Sequence, residues 1–278
     1  MSNANIPDDA RDRESLKSLL LELAAVAASA ITPYFRQQIS VENKIAQAGQ
    51  YDPVTIADRE AETAIRETIT AAYPHDAIFG EEFETKQGES RYSWVIDPID
   101  GTKAFVCGLP TWASLIAICY DGIPILGLMA QPVVGDVFVG GMGYAELLKA
   151  REQTRLSTRS GLSLAACNLF ATAPDMFSPQ EKIAFDALSD SVQMTRFGVD
   201  SYAYCLLAAG HIDLVVESGL GFYDIAALIP LIEAAGGVVT DWEGRAVRQG
   251  GRVIAAANPA IHQEALRILQ IKTFDAST

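Results

Sequence analysis

The chain has 278 residues, 49% apolar and 20% charged, which is enough to fill a sizeable core and too apolar for a disordered chain. Its 21 basic residues face 35 acidic ones, a formal charge of −14, which argues against a nucleic-acid partner because neutralising phosphates requires Lys and Arg. The same balance repels a small anionic substrate unless metal ions invert the local field.

The N-terminus carries Asp8, Asp9, Asp12 and Glu14, the opposite of a basic signal-peptide start. The apolar stretch from Leu23 to Ile31 is far short of a bilayer span, so neither export nor a membrane partner is expected. Leu16, Leu19, Leu20, Leu23, Ala24 and Ala27 recur at helical spacing and predict a first helix, which Pro33 ends or kinks. A second helix is predicted from Ala57 to Tyr73, with Pro74 just beyond its end. Short apolar strands follow at Ala77–Gly80, Tyr92–Ile96, Leu115–Tyr120, Ile125–Ala130 and Val137–Val139. Asp121-Gly122 reads as a hairpin turn, and Gly140-Gly141-Met142-Gly143 reads as a loop.

The second half alternates. Strands at Leu169–Thr172, Val192–Phe197, Asp213–Glu217, Val238–Thr240 and Val253–Ala256 are interleaved with helices at Pro179–Leu188, Tyr202–Ala209, Asp224–Ala235 and Pro259–Ile271. An antiparallel-rich half followed by a βα-alternating half predicts a layered α/β (α+β) architecture. The division expected is 1–148 and 149–278, within one compact unit. Cys107, Cys119, Cys167 and Cys205 form no CxxC pair, so a reduced, cytoplasmic chain is expected.

The chemistry concentrates in Trp94-Val95-Ile96-Asp97-Pro98-Ile99-Asp100-Gly101-Thr102, where a buried-looking strand ends in two aspartates, a glycine and a hydroxyl. Pro98 restricts the backbone around it, and Gly101 permits a tight turn after which amides can face an anion. Taken alone, such a segment is more often only a strand cap and a turn. Other acids add weight: Gly80-Glu81-Glu82 follows another apolar strand, and Asp58 and Asp224 stand at helix starts, where either would also serve as a cap. Oxygen ligands from several segments suit Mg²⁺. His75, His211 and His262 show no zinc spacing, and no GxSxG, GxxxxGK[ST] or GxGxxG motif is present. A phospho-aspartyl mechanism uses aspartates at i and i+2, whereas Asp97 and Asp100 stand at i and i+3. Attack by metal-activated water is therefore favoured.

Together, Asp52-Pro53-Val54-Thr55-Ile56-Ala57-Asp58, Gly80-Glu81-Glu82, Asp97-Pro98-Ile99-Asp100-Gly101-Thr102 and Tyr223-Asp224-Ile225-Ala226-Ala227 resemble the inositol monophosphatase superfamily in type and order. Tyr223 departs from the Trp of many members but leaves the aspartate in place. A closer resemblance, to the histidinol-phosphate phosphatases of that superfamily, rests on Thr102-Lys103-Ala104-Phe105, Gly108-Leu109-Pro110-Thr111-Trp112, Gln131-Pro132 and Asp200-Ser201-Tyr202-Ala203-Tyr204. The resemblance implies a layered αβαβα sandwich, a homodimer, and hydrolysis of a small phosphomonoester with two to three Mg²⁺, or Mn²⁺, per site. Glu81, Asp97 and the Ile99 carbonyl would hold one ion; Asp97, Asp100 and Asp224 a second; Glu81 would help retain a third. Thr102, hydrogen-bonded to Asp58, would activate water, while the Gly101 and Thr102 amides receive phosphate. Four carboxylates and a phosphate dianion give about −6, which about three divalent ions balance.

Substrate choice is assigned to Asp100, Asp200 and Glu217. In the family the Glu217 position contacts the alcohol, and a second acid at Asp200 suits the ammonium of L-histidinol phosphate, an intermediate of histidine biosynthesis. Asp200 is equally a helix N-cap, which leaves an inositol-1-phosphate or other polyol phosphatase as the rival. A metal-binding regulatory protein without turnover is the reading from another class.

Overall fold

The computed structural model describes residues 11–44 and 53–275, with side chains as far as 270. Asp52, Asp8 and Asp9 therefore lie outside the described residues. Helix α1 (Arg13–Ile31) begins where the Asp12 carboxylate accepts the Ser15 N–H, and it buries Leu16, Leu20 and Leu23 along one face. Residues 13–34 are long and apolar enough to cross a membrane by length and composition alone, a longer stretch than Leu23–Ile31. That leucine face shares a core with Trp94, Ile116 and Leu128, so the helix packs one side on the protein interior and leaves the other to solvent. Strand β1 (Val41–Asn43) pairs antiparallel with β2 (Pro53–Thr55), which runs directly into α2 (Ile56–Ala72).

A seven-stranded sheet follows in chain order: β3 (Ala77–Gly80), β4 (Tyr92–Asp100), then, after the short helix α3 (Thr102–Val106), β5 (Ala113–Tyr120), β6 (Ile123–Gln131), β7 (Asp136–Gly141), β8 (Tyr144–Lys149) and β9 (Glu152–Arg155). Only β3 and β4 are parallel; the other neighbours are antiparallel. Asp121 and Gly122 adopt φ of 49° and 73°, the left-handed pair whose twist matches a two-residue hairpin.

The second sheet interleaves with helices: β10 (Asn168–Ala171), α4 (Pro179–Ser189), β11 (Met194–Phe197), α5 (Tyr202–Ala208), β12 (Leu214–Leu220), α6 (Phe222–Ile225), α7 (Leu228–Ala235), β13 (Val238–Thr240), β14 (Gly251–Ala256) and α8 (Pro259–Asp275). Its order is β11-β10-β12-β14-β13, parallel around β10 and antiparallel around β14. Helices α1 and α2 pack on one face of the first sheet, α5 and α7 lie between the sheets, and α4 with α8 covers the far face of the second. This is the αβαβα sandwich expected.

Two local expectations fail for packing reasons. Gly140 and Gly141 belong to β7, not to a loop, because α7 presses on that strand: a Cβ on Gly140 would stand 2.8 Å from Leu231 Cδ1. The single helix expected over Asp224–Ala235 is broken into α6 and α7. Between them the Ala227 carbonyl drops onto β6, 1.8 Å from where a Cβ on Gly127 would sit.

Candidate active site

Asp97 faces Leu115 while Asp100 faces Ala113, so β4 spends three residues where β5 spends two. Residues three apart on a regular strand point to opposite faces. The extra residue restores the phase and brings both carboxylates to one side. Pro98 has no N–H for the ladder, and its carbonyl is taken instead by Ser114 Oγ at 2.7 Å. Gly101 then turns the chain at φ 79° into α3, which opens at Thr102.

The third acid comes from the other half. Gly221, not Asp224, is the N-cap of α6, and Asp224 Oδ2 accepts its N–H at 2.7 Å. Carboxylate oxygens of Asp97, Asp100 and Asp224 lie within 4.8 Å of one another. Burial, then the charges of Glu81, Asp100 and Asp224, holds the Asp97 carboxyl well above the usual carboxylate range. Burial and the neighbouring Asp200 and Asp224 do the same to Asp100, and burial followed by Glu81 pushes Asp224 up to about 7. Asp97 Oδ1 is buried with no hydrogen-bond partner among the described residues. A partnerless buried oxygen among converging carboxylates fits a hard divalent cation, the species that would relieve both desolvation and repulsion.

Glu81 stands outside that triad. It and Glu82 accept from Lys44 Nζ at 2.8 and 2.5 Å, so a cation of the chain itself meets this turn. The Ile99 carbonyl accepts the Thr102 hydroxyl at 3.0 Å. The expected Thr102–Asp58 hydrogen bond is absent; Thr55 takes the acid instead. Asp58 Oδ2 accepts the Thr55 hydroxyl at 2.6 Å and the Thr55 N–H at 2.8 Å, because an acid three residues after a threonine N-cap closes a capping box. Asp58 Oδ1 is buried and without a partner among the described residues, and burial pushes the carboxyl up to about 6.

A cavity of about 190 Å³ opens beside these groups, lined by Gly101, Thr102, Lys103, Asp200, Glu217 and Asp224 among others. Asp200 enters this lining from a turn strained at Val199: Val199 and Asp200 have φ of 74° and 45°, and a β-branched residue in that region costs about 1–3 kcal/mol. The strained turn lays the Asp200 carboxylate over Gly101, whose Cβ, if present, would stand 3.1 Å from Asp200 Cγ. Asp200 is not the helix cap; Ser201 holds that place, and its N–H donates to Asp100 Oδ2 at 2.8 Å. Burial, then Glu217, pushes Asp200 up to about 6, with Lys103 opposing. Both oxygens of buried Glu217 have protein donors, the Thr172 N–H at 2.7 Å and the Tyr204 hydroxyl at 2.9 Å. Thr55, Lys44 and Thr172 entered the site without having been singled out. Only Thr55 had a legible signal, its capping-box spacing to Asp58.

These shifts have a testable sign. A carboxyl raised in the folded state holds its proton more tightly there than in the unfolded chain, whose carboxyl pKa is about 4. Without metal, this contribution to stability is full only below about pH 4 and is lost as pH rises through about 6 for Asp58 and Asp200 and about 7 for Asp224. The melting temperature in chelator is thus expected to fall between pH 5 and 8 relative to protein saturated with a divalent cation. Parallel curves with and without the ion would refute the account.

The sequence matches the model of the inositol monophosphatase family over residues 12–273. It is 41% identical over 259 residues to the chloroplastic bifunctional phosphatase IMPL2 of Arabidopsis thaliana, covering 89% of this chain and 73% of that protein. It is 37% identical over 218 residues to a histidinol-phosphatase of Mycobacterium tuberculosis, covering 77% of this chain and 83% of the other. An inositol monophosphatase structure from Zymomonas mobilis superposes with a TM-score of 0.82 at 38% identity, over 94% of this chain and 100% of that one.

Proposed function

We propose that this chain, which belongs to the inositol monophosphatase family, hydrolyses L-histidinol phosphate with Mg²⁺, releasing L-histidinol and phosphate. Membership of the family makes the protein a phosphatase, a phosphoric monoester hydrolase of a metal-dependent family that acts on small phosphomonoesters. What carries the choice of substrate is a second group of acids, Asp200 with Glu217, in the cavity beside Gly101 and Thr102. A cationic alcohol moiety suits such a wall better than a neutral polyol does. The relative named histidinol-phosphatase supports the same choice. The inositol monophosphatase neighbour favours the polyol as the second reading.

Asp97, Asp100, Asp224 and Glu81, with the Ile99 carbonyl, would hold two to three Mg²⁺ or Mn²⁺. Bound there, the ions would neutralise phosphate charge and lower the pKa of the attacking water. The residues do the rest. Gly101 and Thr102 present backbone amides to the phosphate, and Asp58, whose Oδ1 has no partner among the described residues, accepts the proton of the water that Thr102 orients. A cytoplasmic homodimer belongs to the same reading.

Exhaustive chelation is expected to abolish phosphate release. Mg²⁺ at about 100 times its dissociation constant should add about 2.7 kcal/mol of stability, raising the melting temperature by roughly 5–10 °C. Full activity in chelator would sink the metal assignment. The substrate is tested by phosphate release from histidinol phosphate, inositol 1-phosphate, fructose 1,6-bisphosphate and 3′-phosphoadenosine 5′-phosphate, with the first expected to lead. Asp200→Asn should then lower kcat/KM for histidinol phosphate roughly ten- to a hundredfold, since a charge-assisted hydrogen bond contributes about 1.5–3 kcal/mol. A polyol phosphate should lose much less. Parallel decline of both substrates would remove Asp200 from the specificity argument.

A further inference from the structure

We propose that Glu62 and Arg66 of α2 are positioning residues that fix Glu81 at the metal cluster, an inference that rests on reading Glu81 as a ligand. Glu62 is fully buried in mid-helix, and the reaction described above gives it nothing to do. Its Oε2 accepts the Glu82 N–H at 2.8 Å, and its Oε1 accepts from Arg66 Nε at 2.7 Å. Arg66 reaches further, donating from Nη2 to the Phe83 carbonyl at 3.1 Å. Before Glu81, Gly80 lies so close that a Cβ there would stand 2.0 Å from Glu62 Oε1.

The turn is thus held on both sides of one residue. Gly80 is held by contact, Glu82 through its N–H and Phe83 through its carbonyl, and the residue between these anchors is Glu81. Asp58, Glu62 and Arg66 recur at four-residue spacing, so one face of α2 carries both the general-base candidate and the brace. A packing role alone would be filled as well by an apolar residue of similar volume, without the desolvation cost of a buried ion pair. What the carboxylate adds is an acceptor for the Glu82 N–H. Groups that orient metal ligands from outside the coordination sphere typically change metal affinity by about 10–100-fold when removed.

The test is a Mn²⁺ titration of the full chain, following free Mn²⁺ by its paramagnetic resonance signal, with Glu81→Gln as the reference variant. Glu62→Ala is expected to weaken Mn²⁺ binding by about 10–100-fold. Glu62→Gln, which keeps an oxygen for the Glu82 N–H, should retain most of the affinity. In assays, the Mg²⁺ concentration for half-activation should rise more than kcat at saturating Mg²⁺ falls, a split that general loss of fold would not produce. If Glu62→Ala does not fold, Gly80→Ala carries the test, because its Cβ displaces the Glu62 carboxylate and should bring the same loss. Wild-type Mn²⁺ affinity in whichever of the two folds, beside a weakened Glu81→Gln, overturns the brace. Wild-type affinity in Glu81→Gln removes the ligand assignment and the brace with it.

Discussion

Asp97→Asn is expected to lower kcat by ~10³-fold or more, about 4 kcal/mol of lost electrostatic stabilisation, even at saturating Mg²⁺. The reason lies in how completely the fold commits this carboxylate. Asp97 is buried, its Oδ1 is partnerless among the described residues, and it faces Asp100 and Asp224 within the same cluster. In the proposed reading it is shared between two ion positions, so losing its charge weakens both. The same substitution should act oppositely on the metal-free protein. The Asp97 carboxyl is raised by burial and by three neighbouring acids, so at neutral pH its ionisation opposes folding, and a neutral amide removes that cost. Asp97→Asn in chelator should therefore melt higher than the wild type while gaining less from added Mg²⁺. A substitution that merely damages the core would melt lower in both conditions. Near-normal turnover would make Asp97 a turn residue.

The parts of this site that follow from strand and turn chemistry could be read from the chain. Asp97-Pro98-Ile99-Asp100-Gly101 announced a strand end with converging acids, and the bulge that makes them converge needed only a residue without an N–H in a ladder position. Asp121-Gly122 announced its hairpin for an equally local reason. What could not be read depends on packing across distance. Strand β9 is exposed and polar throughout, and β8 is half-buried with Glu146 interrupting its apolar residues, so no apolar run marked them. The break between α6 and α7 is set by Gly127 on a strand about a hundred residues earlier in the chain. Glu62 sits within an ordinary helical pattern, where a charged residue reads as solvent-facing, and only the fold shows it closed over by the turn that bears Glu81. The misassigned partner of Asp58 is the reverse case: the family resemblance supplied Thr102, while the local capping-box spacing pointed to Thr55.

That exchange of partners shapes the remaining large effect. Thr102→Ala is expected to lower kcat by ~10²–10⁴-fold, the usual range for general acid–base assistance, with KM and metal affinity nearly unchanged. The Thr102 backbone amide remains, as does the αL turn at Gly101, so the phosphate keeps its donors. Only the hydroxyl is lost, and in this structure its hydrogen bond is to the Ile99 carbonyl rather than to Asp58. If holding Ile99 were its whole contribution, the alanine variant would bind Mg²⁺ more weakly and recover its rate when the ion is raised. If it orients the water for Asp58, excess Mg²⁺ restores nothing. Asp58→Asn separates the second half of the pair. The amide keeps one oxygen where Asp58 Oδ2 accepts both the N–H and the hydroxyl of Thr55, so the capping box should survive and any loss of stability should stay below about 1 kcal/mol. A rate loss far beyond that, persisting at temperatures well below the melting point, identifies Oδ1 as the acceptor of the water's proton. A variant of Asp58 that melts earlier yet turns over normally would assign this residue to the helix cap alone.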